Sequence, residues 1–358
     1  KRICHLRVLI VKVSSLGDII HTLPAVTDAH RARKDITFDW VVEENFVEVP
    51  TWHPAVDKVI PVAIRRWRKN IFKTYFNHEF RAFKKSLQDT HYDLIIDAQG
   101  LVKSGIISRL SKGLTIGLSD RTIREPMATM FYNKVYSVPW TEHAVDRVRQ
   151  LFSRALKYSY DPQLVDYGLD VNRIIPSIAS DSAKRVVFLH GTTWKTKHWP
   201  GHYWRHLAHI AKESGFEVLL PWGNDKERQR AEFIARDNSK AKVLDKQSLS
   251  ELAAQINRST GVISVDTGLG HLAAALAKPT VSLYGPTNPG LSGTFGHKQL
   301  HLNSNLNCAP CVKKVCTYSG PGVTDEFRGQ PFAVTPACFS SHRPEHVWQQ
   351  FEKLLNEK

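Results

Sequence analysis

At 358 residues, with 42% hydrophobic and 23% charged side chains, the chain has the balance of a folded globular protein and the length of two α/β units. That composition excludes long disorder, and the odd count of five cysteines argues against a secreted disulfide framework. A formal charge of +15 points to an anionic partner, for which nucleic acid, phosphorylated lipid and nucleotide all qualify.

The basic start, Lys1–Leu6, leads into an apolar run of only Val8 to Val13. That is too short for a secretory signal, and nothing later reaches the roughly 18 apolar residues of a membrane span, so a cytoplasmic protein is expected. Arg7–Val13 reads as a first strand, the stretch from Gly17 to about Arg33 as an amphipathic helix, and Phe38–Val42, Lys58–Val62 and Tyr92–Ala98 as further strands. Near-continuous apolar strands alternating with helices predict a parallel sheet covered on both faces. A helix is predicted over Glu142 to Leu156, and the Pro-, Ser- and Asp-containing stretch Ser159–Ala183 reads as a connection.

A second βα series opens at Arg185–His190 and continues through Phe216–Pro221, Ala241–Leu244, Gly261–Val265 and Thr280–Tyr284, with a last helix from Arg343 to about Asn356. The expected architecture is α/β: two Rossmann-like domains, 1–165 and 185–340, joined by a linker over 166–184 and followed by a helix over 341–358. Each half opens with an apolar strand running into a Gly/Ser/Thr turn and then a helix. Open α/β sheets bind ligands beyond the carboxyl ends of their strands, so these turns are the first places to look for chemistry.

The first turn, Val13-Ser14-Ser15-Leu16-Gly17-Asp18, puts a carboxylate at a helix start, where it is either a first-turn cap or a group for chemistry. The second, His190 to Pro200, carries Thr192, Thr193, Lys195 and Lys197 directly after a strand; it is either a phosphate site or a basic surface loop. The third, Val265-Asp266-Thr267-Gly268-Leu269-Gly270-His271, leaves bare backbone at a helix start and suits a pyrophosphate, but lacks the lysine of a Walker loop. Tyr284–Gly290 follows the next strand as another polar turn. The run Arg65-Arg66-Trp67-Arg68-Lys69, with Ile71, Phe72 and Lys73 beyond it, is either a solvated face or a patch for an anionic membrane surface. No nucleic-acid-binding motif accompanies it. Cys308-Ala-Pro-Cys311 followed by Cys316 and Cys338 offers four thiols to a structural metal, or four free thiols.

Taken together, Arg7–Asp18, His21–Ala25, Phe38–Glu44, Val59–Lys69, Ile96–Ser104, Arg124–Pro126, Phe188–Thr193, Lys197–Pro200, Leu220–Gly223 and Val265–His271 resemble the ADP-heptose:lipopolysaccharide heptosyltransferases over about residues 7 to 300. The resemblance implies a GT-B fold, two Rossmann-like domains facing across a cleft, and inverting transfer of L-glycero-D-manno-heptose from ADP-heptose to the first Kdo of Kdo2-lipid A. Transfer to heptosyl-Kdo2-lipid A is the alternative within the family. It implies Asp18 as general base and Lys197 as the charge that stabilises the leaving group. The donor would meet Thr192, Thr193, Lys197, Glu227, Asp266, Thr267, Gly268, Leu269 and His271, and the acceptor Arg65, Arg66, Lys69, Lys103 and Arg124. It further implies no required cofactor, no nucleic acid, and a peripheral position on the cytoplasmic face of an anionic inner membrane.

Overall fold

The computed structural model describes residues 5–69, 78–174 and 183–357. They fall into two compact units, Lys1–Arg173 and Ile174–Lys358. In the first, β1 (Leu6–Val11), β2 (Ile36–Glu43), β3 (Val56–Val62), β4 (His91–Asp97), β5 (Lys112–Leu118) and β6 (Lys134–Tyr136) form a six-stranded sheet in the order β3-β2-β1-β4-β5-β6, every pair parallel. β1 lies at its centre, Val8 opposite both Phe38 and Leu94. Its residues Val8 to Val11 are fully buried, which is why the strand reads as an unbroken apolar run rather than an alternating one.

Five helices of this unit matter below: α1 (Leu16–Ile20), α2 (Leu23–Ala32), α3 (His78–Gln88), α4 (Val102–Leu110) and α5 (Ala144–Leu156). The helix predicted from Gly17 to Arg33 is two helices. Pro24 has no N–H to continue the ladder and sits instead in the first turn of α2, while the Thr22 hydroxyl caps the carbonyl of Asp18 at 2.9 Å. The break gives Asp18 a short helix of its own.

The second unit repeats the plan. β7 (Arg185–Leu189), β8 (Glu217–Leu220), β9 (Ala241–Val243), β10 (Gly261–Val265), β11 (Thr280–Tyr284) and β12 (Gln299–Asn303) form a parallel sheet in the order β12-β11-β10-β7-β8-β9. Its helices are α6 (Gly201–Glu213), α7 (Asp225–Ala235), α8 (Leu249–Arg258), α9 (Gly268–Ala275) and α10 (Pro344–Asn356), and a hairpin of β13 (Thr324–Phe327) and β14 (Gln330–Ala333) is added. α10 packs on α6 and β11 through Val347, Trp348, Phe351 and Leu354, so the C-terminal helix completes the core of this unit.

The stretch from Ser159 to Arg173, expected as connection, is packed into the first unit. Arg149 of α5, fully buried, pairs with Asp28 of α2 at 2.7 Å and donates to the carbonyls of Asp161 and Leu164 at 2.8 and 2.7 Å. A buried guanidinium must fill its donors, and here the chain after α5 is what fills them. Residues 175–182 of the expected linker lie outside the described residues.

In both sheets the strand order reverses direction between the first strand and the fourth, at β1/β4 and at β7/β10. These two switch points are where a doubly wound sheet opens a crevice for a ligand.

Candidate functional site

At the first switch point, the turns after β1 and β4 interlock. The Gln99 side-chain oxygen accepts the N–H groups of Val13 and Ser14, both at 3.0 Å. Asp97, buried at the end of β4, accepts from Gln99 N–H, Gly100 N–H and the Tyr132 hydroxyl. Asp18 is half-buried in the first turn of α1 and accepts the Ser15 N–H at 2.8 Å and the Ser15 hydroxyl at 2.7 Å, both on Oδ2.

Burial pushes the Asp18 carboxyl up, but the charge of Lys12, the two Ser15 hydrogen bonds and Arg124 outweigh it and hold the group below the ordinary aspartate value. Lys12 is buried at the end of β1 with its ammonium donating to the Ala98 carbonyl at 2.7 Å. Burial lowers its pKa, and Asp18 and Asp97 oppose that shift. Lys12 was absent from the sequence-derived site because it lies within the apolar run of β1. The signal was there nonetheless: a lysine ending a buried strand almost always has a partner.

The cations expected to meet an acceptor divide. Arg124 is exposed and close enough for its charge to act on Asp18 and Lys12. Lys103 of α4 is half-buried, its ammonium 3.4 Å from the Ser14 hydroxyl, and its pKa is lowered by burial with Glu43 opposing and Arg65 and Arg68 adding. Arg65 lies over the Phe46 ring at 5.3 Å, and Lys69 is exposed. Arg66 is engaged differently. Its guanidinium takes Glu44 at 2.9 Å and Glu79 at 2.9 Å, and these two carboxylates raise its pKa. A fork filled by two carboxylates has little left for an acceptor anion. Ile71, Phe72 and Lys73 lie outside the described residues.

At the second switch point the turns after β7, β10 and β11 converge on Asp266. Its Oδ2 is 2.6 Å from the Lys197 ammonium and accepts the Thr287 hydroxyl at 2.6 Å, while its carbonyl accepts the Thr192 hydroxyl at 3.1 Å. Lys197 also sits over the Trp194 ring at 4.6 Å. Thr193 is exposed beside these groups. Thr267 precedes α9 without a side-chain capping bond and Gly268 and Leu269 begin its first turn, so their N–H groups point out of the helix start; His271 is buried further in. Glu227, in the first turn of α7, accepts Gly223 N–H at 2.7 Å and lies across Gly191, where an added Cβ would stand 2.9 Å from its carboxyl carbon. A side chain at 191 would make that carboxylate shift. Thr287 was quoted in the sequence as part of a polar turn but not singled out, because nothing in its own neighbourhood ties it to Asp266.

The four thiols are brought together. Cys308, Cys311, Cys316 and Cys338 line one small cavity with Thr196, Gly285, Pro286 and Lys313. Burial and the neighbouring sulfurs push the Cys338 thiol up to about 12. All four are free cysteines, and among the described residues no group of three or more His, Cys, Asp or Glu side chains has the arrangement of a metal shell. What the loop does is brace the phosphate-type turn: Thr196 donates to the Lys313 carbonyl at 2.7 Å and Val312 N–H to the Pro286 carbonyl at 2.8 Å.

With this geometry in hand, the chain can be set beside known proteins. The model of glycosyltransferase family 9 (heptosyltransferase) matches residues 80–320. The lipopolysaccharide heptosyltransferase 1 of Pseudomonas aeruginosa is 52% identical over 351 residues, 98% of this chain and 98% of that protein. The solved structure of Escherichia coli heptosyltransferase WaaC with ADP-2-deoxy-2-fluoro heptose aligns with a TM-score of 0.78 at 45% identity, covering 84% of this chain and 93% of that one. The lipopolysaccharide heptosyltransferase 2 of Salmonella typhimurium is 31% identical over 108 residues, 28% of this chain and 31% of that protein.

Proposed function

This chain belongs to glycosyltransferase family 9, the heptosyltransferases, and on that premise we propose that it moves L-glycero-D-manno-heptose from ADP-heptose to the first Kdo of Kdo2-lipid A. The observation that carries the reading is the likeness to a type 1 enzyme along the whole chain. Sequence likeness to a type 2 enzyme is confined to a short stretch, which favours the first Kdo over heptosyl-Kdo2-lipid A as acceptor.

The first unit takes the acceptor and the second the donor. Asp18 is the general base. Its Oδ2 is occupied by Ser15, so Oδ1 takes the proton from the acceptor hydroxyl as that oxygen attacks the anomeric carbon. The bond from that carbon to the phosphate oxygen breaks on the opposite face, its electron pair leaves with ADP, and the configuration inverts. Lys197, Thr192, Thr193 and the N–H groups at the start of α9 meet the diphosphate and stabilise the charge that grows on it. In this reading Asp266 and Thr287 hold Lys197, and Glu227 contacts the ribose. A fixed lysine and a helix start supply what a divalent ion would, so transfer needs no metal and survives EDTA.

No described helix is long and apolar enough to cross a membrane. Work at a glycolipid therefore means working at the membrane surface, and the exposed cations Arg65, Lys69 and Arg124 suit anionic head groups. The test is mass analysis of the product after incubation with ADP-heptose and Kdo2-lipid A. Gain of one heptose is expected. Transfer only to heptosyl-Kdo2-lipid A would move the chain to the type 2 reaction, and transfer to neither would end the proposal.

A further inference from the structure

The chain's two methionines are the most exposed large apolar side chains among the described residues of the first unit, Met127 at 64% and Met130 at 72%. They lie on the 3₁₀ turn Pro126–Phe131, where residues three apart stack on one side, so the two thioethers form one ridge. The ridge is held firmly. Ala128 between them is fully buried, and the turn presses so closely on α4 that a Cβ at Gly105 would stand 2.6 Å from the Phe131 ring. Glu125 fixes its start, donating N–H to the Gly100 carbonyl at 3.1 Å and accepting Val102 N–H at 2.8 Å. Ile106, on α4 beside Gly105, is 45% exposed.

Around this apolar ridge the charge is positive. Arg124 immediately precedes it, and Lys103, one turn before Ile106 on α4, feels the charges of Arg65 and Arg68. Glu125 and Glu43 accept Val102 N–H and Arg65 N–H at 2.8 and 2.9 Å and keep their charge, which acts on Lys103, but Arg65, Arg68, Lys103 and Arg124 outnumber them. The rim also adjoins the Asp18 turn, through Arg124, whose charge reaches Asp18, and Lys103, whose ammonium is 3.4 Å from Ser14 Oγ.

We propose that this rim, with Met127, Met130 and Ile106 as its apolar crest and Arg65, Arg68, Lys103 and Arg124 as its cations, is the surface by which the protein sits on an anionic lipid membrane. A crest of unbranched apolar side chains ringed by cations matches an acyl layer under anionic head groups. A second copy of the chain is a poor occupant, because a charge of +15 repels its like. The inference rests on the proposed function in one respect. An acceptor whose sugar is at Asp18 and whose acyl chains stay in the bilayer needs the lipid-facing surface to border that turn.

The test is flotation of the full chain with phosphatidylcholine vesicles, with and without phosphatidylglycerol. Wild type is expected to float with the anionic vesicles and not with the neutral ones. Met127→Ser/Met130→Ser should weaken that binding about tenfold, the scale expected when two partly inserted apolar side chains are lost. Met130→Asp, which sets a charge against the head groups, should do the same. Transfer to a deacylated, water-soluble acceptor should stay within about twofold of wild type, since neither methionine touches the base or the donor turns, and a twofold change is small against general-base effects. Vesicle binding unchanged in both variants would overturn the proposal. So would light scattering that shows wild-type self-association lost in the serine variant, because the crest would then be an interface between copies. Absence of heptosyl transfer to any acceptor would count against the function, while the vesicle result would still stand or fall by itself.

Discussion

Each unit has an aspartate at the switch point of its sheet, Asp18 in the first turn of the helix after β1 and Asp266 directly after β10, and their surroundings differ. Asp266 is clamped at contact distance by Lys197 and Thr287. Asp18 accepts only from the hydroxyl and N–H of Ser15 among the described hydrogen bonds, and draws its charge stabilisation from a lysine that is bonded elsewhere. A carboxylate in a direct ion pair cannot take a proton without giving up its cation, which makes Asp266 a strut for Lys197. A carboxylate held ionised from a distance can take one. In the proposed mechanism a switch-point aspartate thus positions a lysine in one unit and takes a proton in the other, and the placement of the nearest lysine separates the two roles.

Apart from the base itself, the largest effect should come from the second unit's lysine. Lys197→Ala removes the cation aimed at the leaving diphosphate and should lower kcat/KM about 10²–10³-fold, as loss of one electrostatic stabiliser of a developing anion does. Steady-state rates with ADP-heptose would read it, and a loss below about tenfold would mean that this turn does not carry the leaving group.

Removing the distant lysine of the first unit should act through pH. Lys12→Met keeps length while deleting the largest charge that holds Asp18 low, so burial is opposed only by Ser15 and Arg124 and the Asp18 pKa rises. The base works only when ionised. The acid limb of the kcat/KM profile should therefore move to higher pH, with the alkaline side little changed. Thermal denaturation of the variant separates this from loss of fold. An acid limb that does not move would show that Lys12 serves only the Ala98 carbonyl.

A smaller change is expected at the acceptor cations, and it should divide as their geometry does. Arg124→Ala should raise the acceptor KM about five- to tenfold and leave the ADP-heptose KM alone, the scale of one charge-assisted contact. Arg66→Ala should change the acceptor KM less than about twofold, because that guanidinium is an exposed link between Glu44 and Glu79. The reverse order would show that Arg66 leaves its carboxylates when the acceptor arrives.

How much of this was legible beforehand follows from where the information lies. The central strands β1, β4, β7 and β10 were readable because burial on both faces makes them apolar runs. The edge strands β6 and β12 were not: Lys134–Tyr136 is short and largely exposed, and Gln299–Asn303 is polar. β5 was hidden by its two glycines, Gly113 and Gly117. Asp18 and Lys197 stood out because a turn after a strand is a local signal. Lys12, Thr287 and the Arg149 clamp were invisible in that way. Each depends on a partner far along the chain, Ala98 for Lys12, Asp266 for Thr287 and Asp28 for Arg149, which only the fold brings near.

The claim at the centre is that Asp18 is a base and not a helix cap, and Asp18→Asn tests it most directly. Asparagine caps a helix start about as well as aspartate, so a capping role would leave turnover intact. The measurement is the single-turnover transfer rate at saturating ADP-heptose, with ADP affinity titrated on the same folded variant. The account predicts a rate lower by about 10²–10⁴-fold, the usual worth of general-base assistance, with ADP affinity within a few-fold of wild type. A variant that keeps more than about a tenth of the wild-type rate would contradict it and remove Asp18 from the chemistry.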